Sequence, residues 1–344
     1  MKSIIGIPKE LKLNEKRVSI IPEDVLLLTN NNFTVYVQTN AGKEAQFNDE
    51  EYIKAGAIIC NSIEELYKKS NIIVKVKEPQ EEEYKFIKNT HKILTFFHFA
   101  SNKNLTDAMI NSGAKCYAYE NITITDNIGN YHYPILSQMS KIAGEKSMLE
   151  AIKFIFNNEI YDYSIQISIF GAGNAGISAM IVAINSGFTN ISLLDKNFNK
   201  LLELKKKYNV NIYEYNNENV EFLTKNSRII IGSIYNTGLK SDKLITKNIL
   251  DEITIETIIM DIAIDQGGIT ELSEATTLEN PIIKYKNANI YCIPNIPSCI
   301  PEHSSKLLSK SIINYVFAVA SENTNIYPEL GIGKGLVISD GIYY

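Results

Sequence analysis

The chain has 344 residues, 45% of them hydrophobic and 21% charged, with a formal net charge of −5. That length allows two domains with a core each, and an acidic balance with no run of Lys or Arg that makes a basic stripe gives no footing for nucleic acid. Apolar runs are strand-sized, short of the ~20 residues that span a bilayer, and the opening run is too short for a signal sequence, so a cytoplasmic protein without a membrane partner is expected.

Short apolar runs at 4–7, 33–37, 72–76, 93–97 and 115–119 predict strands, with helical stretches at 24–29, 63–69 and 105–112 between them. Alternation at this spacing implies a parallel sheet covered on both faces. Residues 139–157, helical in pattern and free of proline, predict a long connecting helix. A second series follows, with strands near Ile167, Ile191, Ile212, Ile229, Ile258 and Ile290. After Pro301 a helix is expected over 304–321, then a short tail. That helix is too isolated to be a domain and is expected to fold back on the first half. The expected fold is therefore α/β, with two doubly wound domains joined by a long helix. One is a discontinuous Rossmann-like substrate domain, 1–132 plus 302–344; the other is a Rossmann domain for the cofactor, 133–301. Cys60, Cys116, Cys292 and Cys299 are scattered, which predicts reduced structural thiols and no metal site.

The most informative stretch is Ile167-Ser168-Ile169-Phe170-Gly171-Ala172-Gly173-Asn174-Ala175-Gly176, then a small-residue helix, then a strand ending at Asp195. Gly171 allows a sharp turn, Gly173 lets backbone approach a pyrophosphate, and Gly176 lets the helix pack on the strand. Phosphates are drawn to the N–H groups and dipole of the helix start. Asp195 is placed to bond both hydroxyls of an adenosine ribose, which favours NAD over NADP; Lys196 beside it is the one residue suited to a 2′-phosphate.

Ligands in doubly wound sheets sit beyond the carboxyl ends of the strands, so polar residues there are the candidates. Arg17, in the loop after the first strand, can grip a carboxylate with two parallel bonds. Lys75 and Lys77 share a strand face by alternation; Lys77, nearer the end, is the ligand candidate and Lys75 reads as a surface charge. His98 closes a very apolar strand and suits proton transfer. Asp265, before Gly267 and Gly268, can stabilise a developing cation or the nicotinamide ribose, and Asn295 can hydrogen-bond nicotinamide or substrate.

Together these residues resemble the alanine dehydrogenase and nicotinamide nucleotide transhydrogenase family. The matching stretches are Gly6-Ile7-Pro8-Lys9-Glu10 with Asn14-Glu15-Lys16-Arg17-Val18, Lys75-Val76-Lys77-Glu78-Pro79, Phe97-His98-Phe99-Ala100 and Ala118-Tyr119-Glu120. Met139-Ser140, the glycine motif and Asp261-Ile262-Ala263-Ile264-Asp265-Gln266-Gly267-Gly268 complete them. The resemblance implies that Arg17 and Lys77 hold substrate and that His98 and Asp265 are the catalytic pair. It places Gly171, Gly173, Asn174, Ala175, Gly176, Asp195, Lys196, Ser140, Asp265 and Asn295 on the cofactor. A homo-oligomer, hexamer or dimer, is expected by the same kinship. Two departures stand out: residues 156–163 are shorter than the family's glycine-rich segment, and Glu302 replaces a basic residue.

The reading these features favour is reversible, NAD-dependent deamination of L-alanine, or a similar small amino acid, to its 2-oxo acid and ammonium. Carboxyethyl-ornithine synthases, which also lack the glycine-rich segment, suggest an imine reductase instead, with Glu302 receiving a cationic amine. A transhydrogenase-type NAD(H)-binding module is the third reading.

Overall fold

The computed structural model describes residues 3–126, 129, 131–157, 162–234, 242–321 and 330–344. In chain order, β1 (Ile4–Ile7), β2 (Thr34–Gln38), β3 (Ile58–Cys60), β4 (Ile72–Lys77), β5 (Lys92–Phe96) and β6 (Lys115–Ala118) precede a small hairpin of β7 (Ile124–Thr125) and β8 (Tyr131–His132). Then come β9 (Ile167–Phe170), β10 (Ile191–Asp195), β11 (Asn211–Glu214), β12 (Ile229–Gly232), β13 (Thr257–Asp261), β14 (Ile282–Tyr285) and β15 (Ala288–Tyr291). The chain closes with β16 (Leu336–Ser339) and β17 (Ile342–Tyr343). Two compact units result: Met1–Met139 with Ser298–Tyr344, and Ser140–Pro297.

The first unit holds an eight-stranded sheet in the order β17-β16-β6-β5-β4-β1-β2-β3. Strands β1 to β6 are parallel, and β1 pairs with both β2 and β4, so the winding reverses there. The segment expected to be a tail instead forms β16, antiparallel to β6, and β17. The returning helix Pro301–Ala320 starts earlier than expected because proline is tolerated in a first turn. Its serines fix the loop after β1: Ser305 Oγ accepts from the Val18 N–H at 3.0 Å and Ser309 Oγ from Ile21 at 3.1 Å. Ser298 accepts from Lys16 at 3.0 Å and donates to the Asn14 carbonyl.

The second unit holds a seven-stranded sheet, β11-β10-β9-β12-β13-β15-β14, parallel except for β14. Its central strands are apolar on both faces because both are covered. Ile167, Ile169, Ile229, Ile231, Ile258 and Met260 enter one core. The alternate residues Phe170, Ile230 and Ile259 enter the other. The winding reverses between β9 and β12, which both pair in parallel register with their neighbours. The long helix is Pro134–Phe156, again opening on a proline; the boundary between the units falls within it.

Candidate active site

In the first unit, the carboxyl ends of β1, β4, β5 and β6 lie side by side and carry Arg17, Lys77, His98 and Glu120. Arg17 is 3% exposed, and its guanidinium forks onto Glu15, Nε to Oε1 at 2.8 Å and Nη2 to Oε2 at 2.6 Å. Nη1 donates to the Met139 sulfur at 3.3 Å. Ser19 ties this loop to β4 through the Val74 carbonyl at 2.7 Å. Glu15 therefore orients the arginine, and its place two residues before Arg17 is a signal of that pairing in the sequence itself.

His98 sits just past β5 with φ 53°, a left-handed conformation uncommon for a residue with a side chain. Glu120, beyond β6, holds it there, accepting from the Phe97 N–H at 3.2 Å and the His98 N–H at 2.5 Å. Strain of this kind persists where surrounding bonds over-determine it, and it clusters at functional sites. The imidazole stacks parallel to Phe96, centroids 5.9 Å apart. Burial, with the ammonium groups of Lys77 and Lys12 adding to it, pushes the His98 pKa down to about 3, so the ring is neutral at physiological pH. His91, by contrast, is a core histidine: Nδ1 accepts from the Lys88 N–H and Nε2 faces the Tyr67 carbonyl, each at 3.0 Å.

The two lysines of β4 part company. Lys75, expected to be a surface charge, is 0% exposed and sits 3.3 Å from Glu10 and 3.1 Å from Glu83. Lys77 is half-buried at the strand end. The reason is a break in the strand. Val74 opposes Leu94 and Lys77 opposes Phe96, so the step from 74 to 77 answers the step from 94 to 96, a bulge that alternation alone does not foresee.

In the second unit, the glycine motif turns at the C-terminal end of β9, at the winding reversal. Gly171 has φ 100°, which glycine adopts without cost. A Cβ on Gly176 would lie 1.9 Å from the Gly171 carbonyl oxygen, so the helix Asn174–Asn185 can start here only with glycine. A Cβ on Gly173 would meet nothing within 4 Å among the described residues, which leaves open space at the helix start. This is the cradle a pyrophosphate needs. Gly144, on the long helix, packs against the Ala175 carbonyl so closely that a Cβ would lie at 1.9 Å. Asp195 ends β10 and accepts from the Ala172 N–H at 2.7 Å and from Asn197 at 2.8 Å, so its carboxylate stands directly against the glycine turn. Lys196 is exposed, 3.6 Å from Asp242 and 5.0 Å over the Tyr215 ring.

Asp265 is exposed on the short 3-10 helix Ile262–Gln266 beyond β13. That loop is anchored by Asp261, 1% exposed, which accepts from the Ile269 N–H at 2.7 Å and Ser273 Oγ at 2.5 Å. Burial raises the Asp261 pKa above the usual carboxylate value. Asn295 is half-buried with φ 55° in the turn after β15, and Ser140 is half-buried on the long helix. Each unit thus gathers its own set: Arg17, Lys77 and His98 in the first, and the glycine motif, Asp195, Lys196, Asp265, Asn295 and Ser140 in the second. Glu302 is paired with Lys306 one turn along an exposed helix face at 2.5 Å. Glu10, Glu83 and Glu120 have no role legible in the sequence, because each acts on a neighbour that folding brings to it.

A Rossmann unit with an acid at the tip of its second strand, and a second doubly wound unit whose strand ends carry Arg, Lys and His, make an oxidoreductase that uses a dinucleotide. Residues 6–143 match the model for the alanine dehydrogenase/PNT N-terminal domain, and residues 163–343 that for the C-terminal domain. The alanine dehydrogenase of Staphylococcus saprophyticus is 32% identical over 335 residues, covering 93% of this chain and 88% of its own. That of Mycolicibacterium smegmatis is 30% identical over 356 residues, 98% of this chain and 94% of its own. A solved L-alanine dehydrogenase structure, 26% identical, aligns with a TM-score of 0.89 over 99% of this chain and 96% of that one. The chain belongs to the alanine dehydrogenase/PNT family.

Proposed function

We propose that this chain is an NAD-dependent L-alanine dehydrogenase, interconverting L-alanine with pyruvate and ammonium. The observation that carries the reading is the grouping of Arg17, Lys77 and His98 at neighbouring strand ends of one sheet, in a chain similar to alanine dehydrogenases over nearly its whole length. Arg17, held in one orientation by Glu15, binds the substrate carboxylate; Lys77 binds the carbonyl or carboxylate oxygen. The glycine motif and Asp195 would hold NAD, which when bound would accept the hydride that leaves the substrate α-carbon. His98, neutral at rest, takes a proton from the water that attacks the resulting imine, and returns it as ammonia leaves. The carboxylate of Asp265 stabilises the positive charge of the imine.

Asp195, turned onto the glycine loop, supports NAD over NADP, and Lys196 already lies beside Asp242 and Tyr215. Buried, free thiols at Cys60, Cys116 and Cys292 suit a reducing cytoplasm. Assembly into a homo-oligomer is proposed by kinship, and sedimentation velocity reads it directly.

The test is NADH consumption with pyruvate and ammonium, run beside pyruvate with ornithine or lysine, and repeated with NADPH. Turnover that depends on ammonium and prefers NADH is expected. Turnover that requires a diamine would replace this reading with an imine reductase, and tight NADH binding without turnover would leave a dinucleotide-binding module.

A further inference from the structure

On the side facing β1, the end of β4 is held by a side chain rather than by a neighbouring strand. β1 stops at Ile7, and its pairing with β4 is recorded only at Ile5 and Gly6. Beyond that, the Glu10 carboxylate accepts from the Val76 N–H at 2.6 Å and the Lys77 N–H at 3.4 Å. These are the residues at which the register with β5 shifts. A bulge leaves backbone groups without ladder partners and re-aims the side chain that follows it, and the Glu10 carboxylate satisfies those groups here. Glu10 is itself fixed. It is 8% exposed, and it shares the Lys75 ammonium with Glu83, whose Oε1 also accepts from Tyr67 at 2.9 Å and whose Oε2 accepts from the Gln80 N–H at 2.8 Å.

Burying three charges is costly, and ion pairs of this kind seldom add net stability over an apolar alternative. Nothing in the turnover described above uses Glu10, Lys75 or Glu83 directly. What the cluster does provide is geometry at the residue that follows it.

We propose that Glu10 is a positioning residue for the reaction: it sets the bulge at the end of β4 and so aims Lys77, while Lys75 and Glu83 hold its carboxylate in place. This rests on the reading of Lys77 as a substrate ligand. Misplacement of such a group by a fraction of an ångström weakens oxo-acid binding without touching the dinucleotide site.

Two conservative variants, one isosteric and one shorter by a methylene, separate position from charge. Glu10→Gln keeps an acceptor at the same reach and should leave the KM for pyruvate little changed. Glu10→Asp keeps the charge but draws it back by one methylene, and should raise that KM on the order of tenfold. The Kd for NADH should be unchanged in both. An unchanged KM in Glu10→Asp, or an equal rise in Glu10→Gln, would overturn the proposal. In the wild-type protein the Val76 and Lys77 amides should exchange slowly with deuterium, and fast exchange at both would overturn it without any variant. A wild-type protein inert toward pyruvate, ammonium and NADH would refute the assigned reaction instead, leaving the exchange result to decide the geometry.

Discussion

At the scale of single residues, the left-handed His98 and its neutral ring make the sharpest prediction. His98→Ala should lower turnover by about 10²- to 10⁴-fold while the NADH Kd stays near the wild-type value; a matching loss of NADH affinity would make His98 structural. Asp195→Ala should weaken NADH binding and admit NADPH, and a variant that still rejects NADPH would move the cofactor discrimination elsewhere. Glu10 carries a prediction about pH. Burial lifts its pKa from 4.5 to about 7 against the opposing pull of Lys75. Between those values the folded chain holds a proton that the unfolded chain releases. Its contribution is therefore present in full below 4.5 and is lost as pH rises through about 7, at up to about 1.4 kcal/mol per pH unit. Chemical denaturation across that range should show a flatter profile for Glu10→Gln than for wild type. His98 acts in the opposite sense, destabilising the fold as pH falls below 6.5 toward 3, and comparing the two profiles cancels it. Lys77 and His98 were legible as candidates because a polar group at the end of an apolar strand is conspicuous, whereas Arg17, in a polar loop, stands out only through the family resemblance. Their supports were not. Glu10 meets β4 from 66 positions away, and Glu120 meets His98 from 22.

At the scale of elements, the apolar runs located the central strands of both sheets to within a residue or two, since strands buried on both faces leave no polar gaps. The edges were harder. β3 has three residues, the first of them exposed, and β16 follows a stretch with no strong signal, so pairing with β6 decides its state. The glycine motif was readable because strand, turn, helix and acid come in sequence order. Its packing gives a further prediction: Gly176→Ala would drive a Cβ to 1.9 Å from the Gly171 carbonyl oxygen and should cost about 1–3 kcal/mol. Thermal unfolding and NADH titration should both register it. A variant with unchanged melting and NADH affinity would mean the turn relaxes freely.

At the scale of the whole molecule, the first unit is discontinuous. Its sheet is finished only by β16 and β17, and the loop that carries Arg17 is bonded to Ser298, Ser305 and Ser309. Truncation before Leu336 should therefore expose the edge of β6 and lower the melting temperature or provoke aggregation. Unaltered melting would show that the edge needs no cover. The second unit, Ser140–Pro297, is by contrast a continuous stretch of chain. This imposes an order on synthesis. When the ribosome has made residue 297, every strand of the dinucleotide half exists, while the loop after β1 still lacks the helix whose serines bond Val18 and Ile21. A nascent chain thus completes the glycine-motif half while the loop that carries Arg17 still waits for its bonding partners.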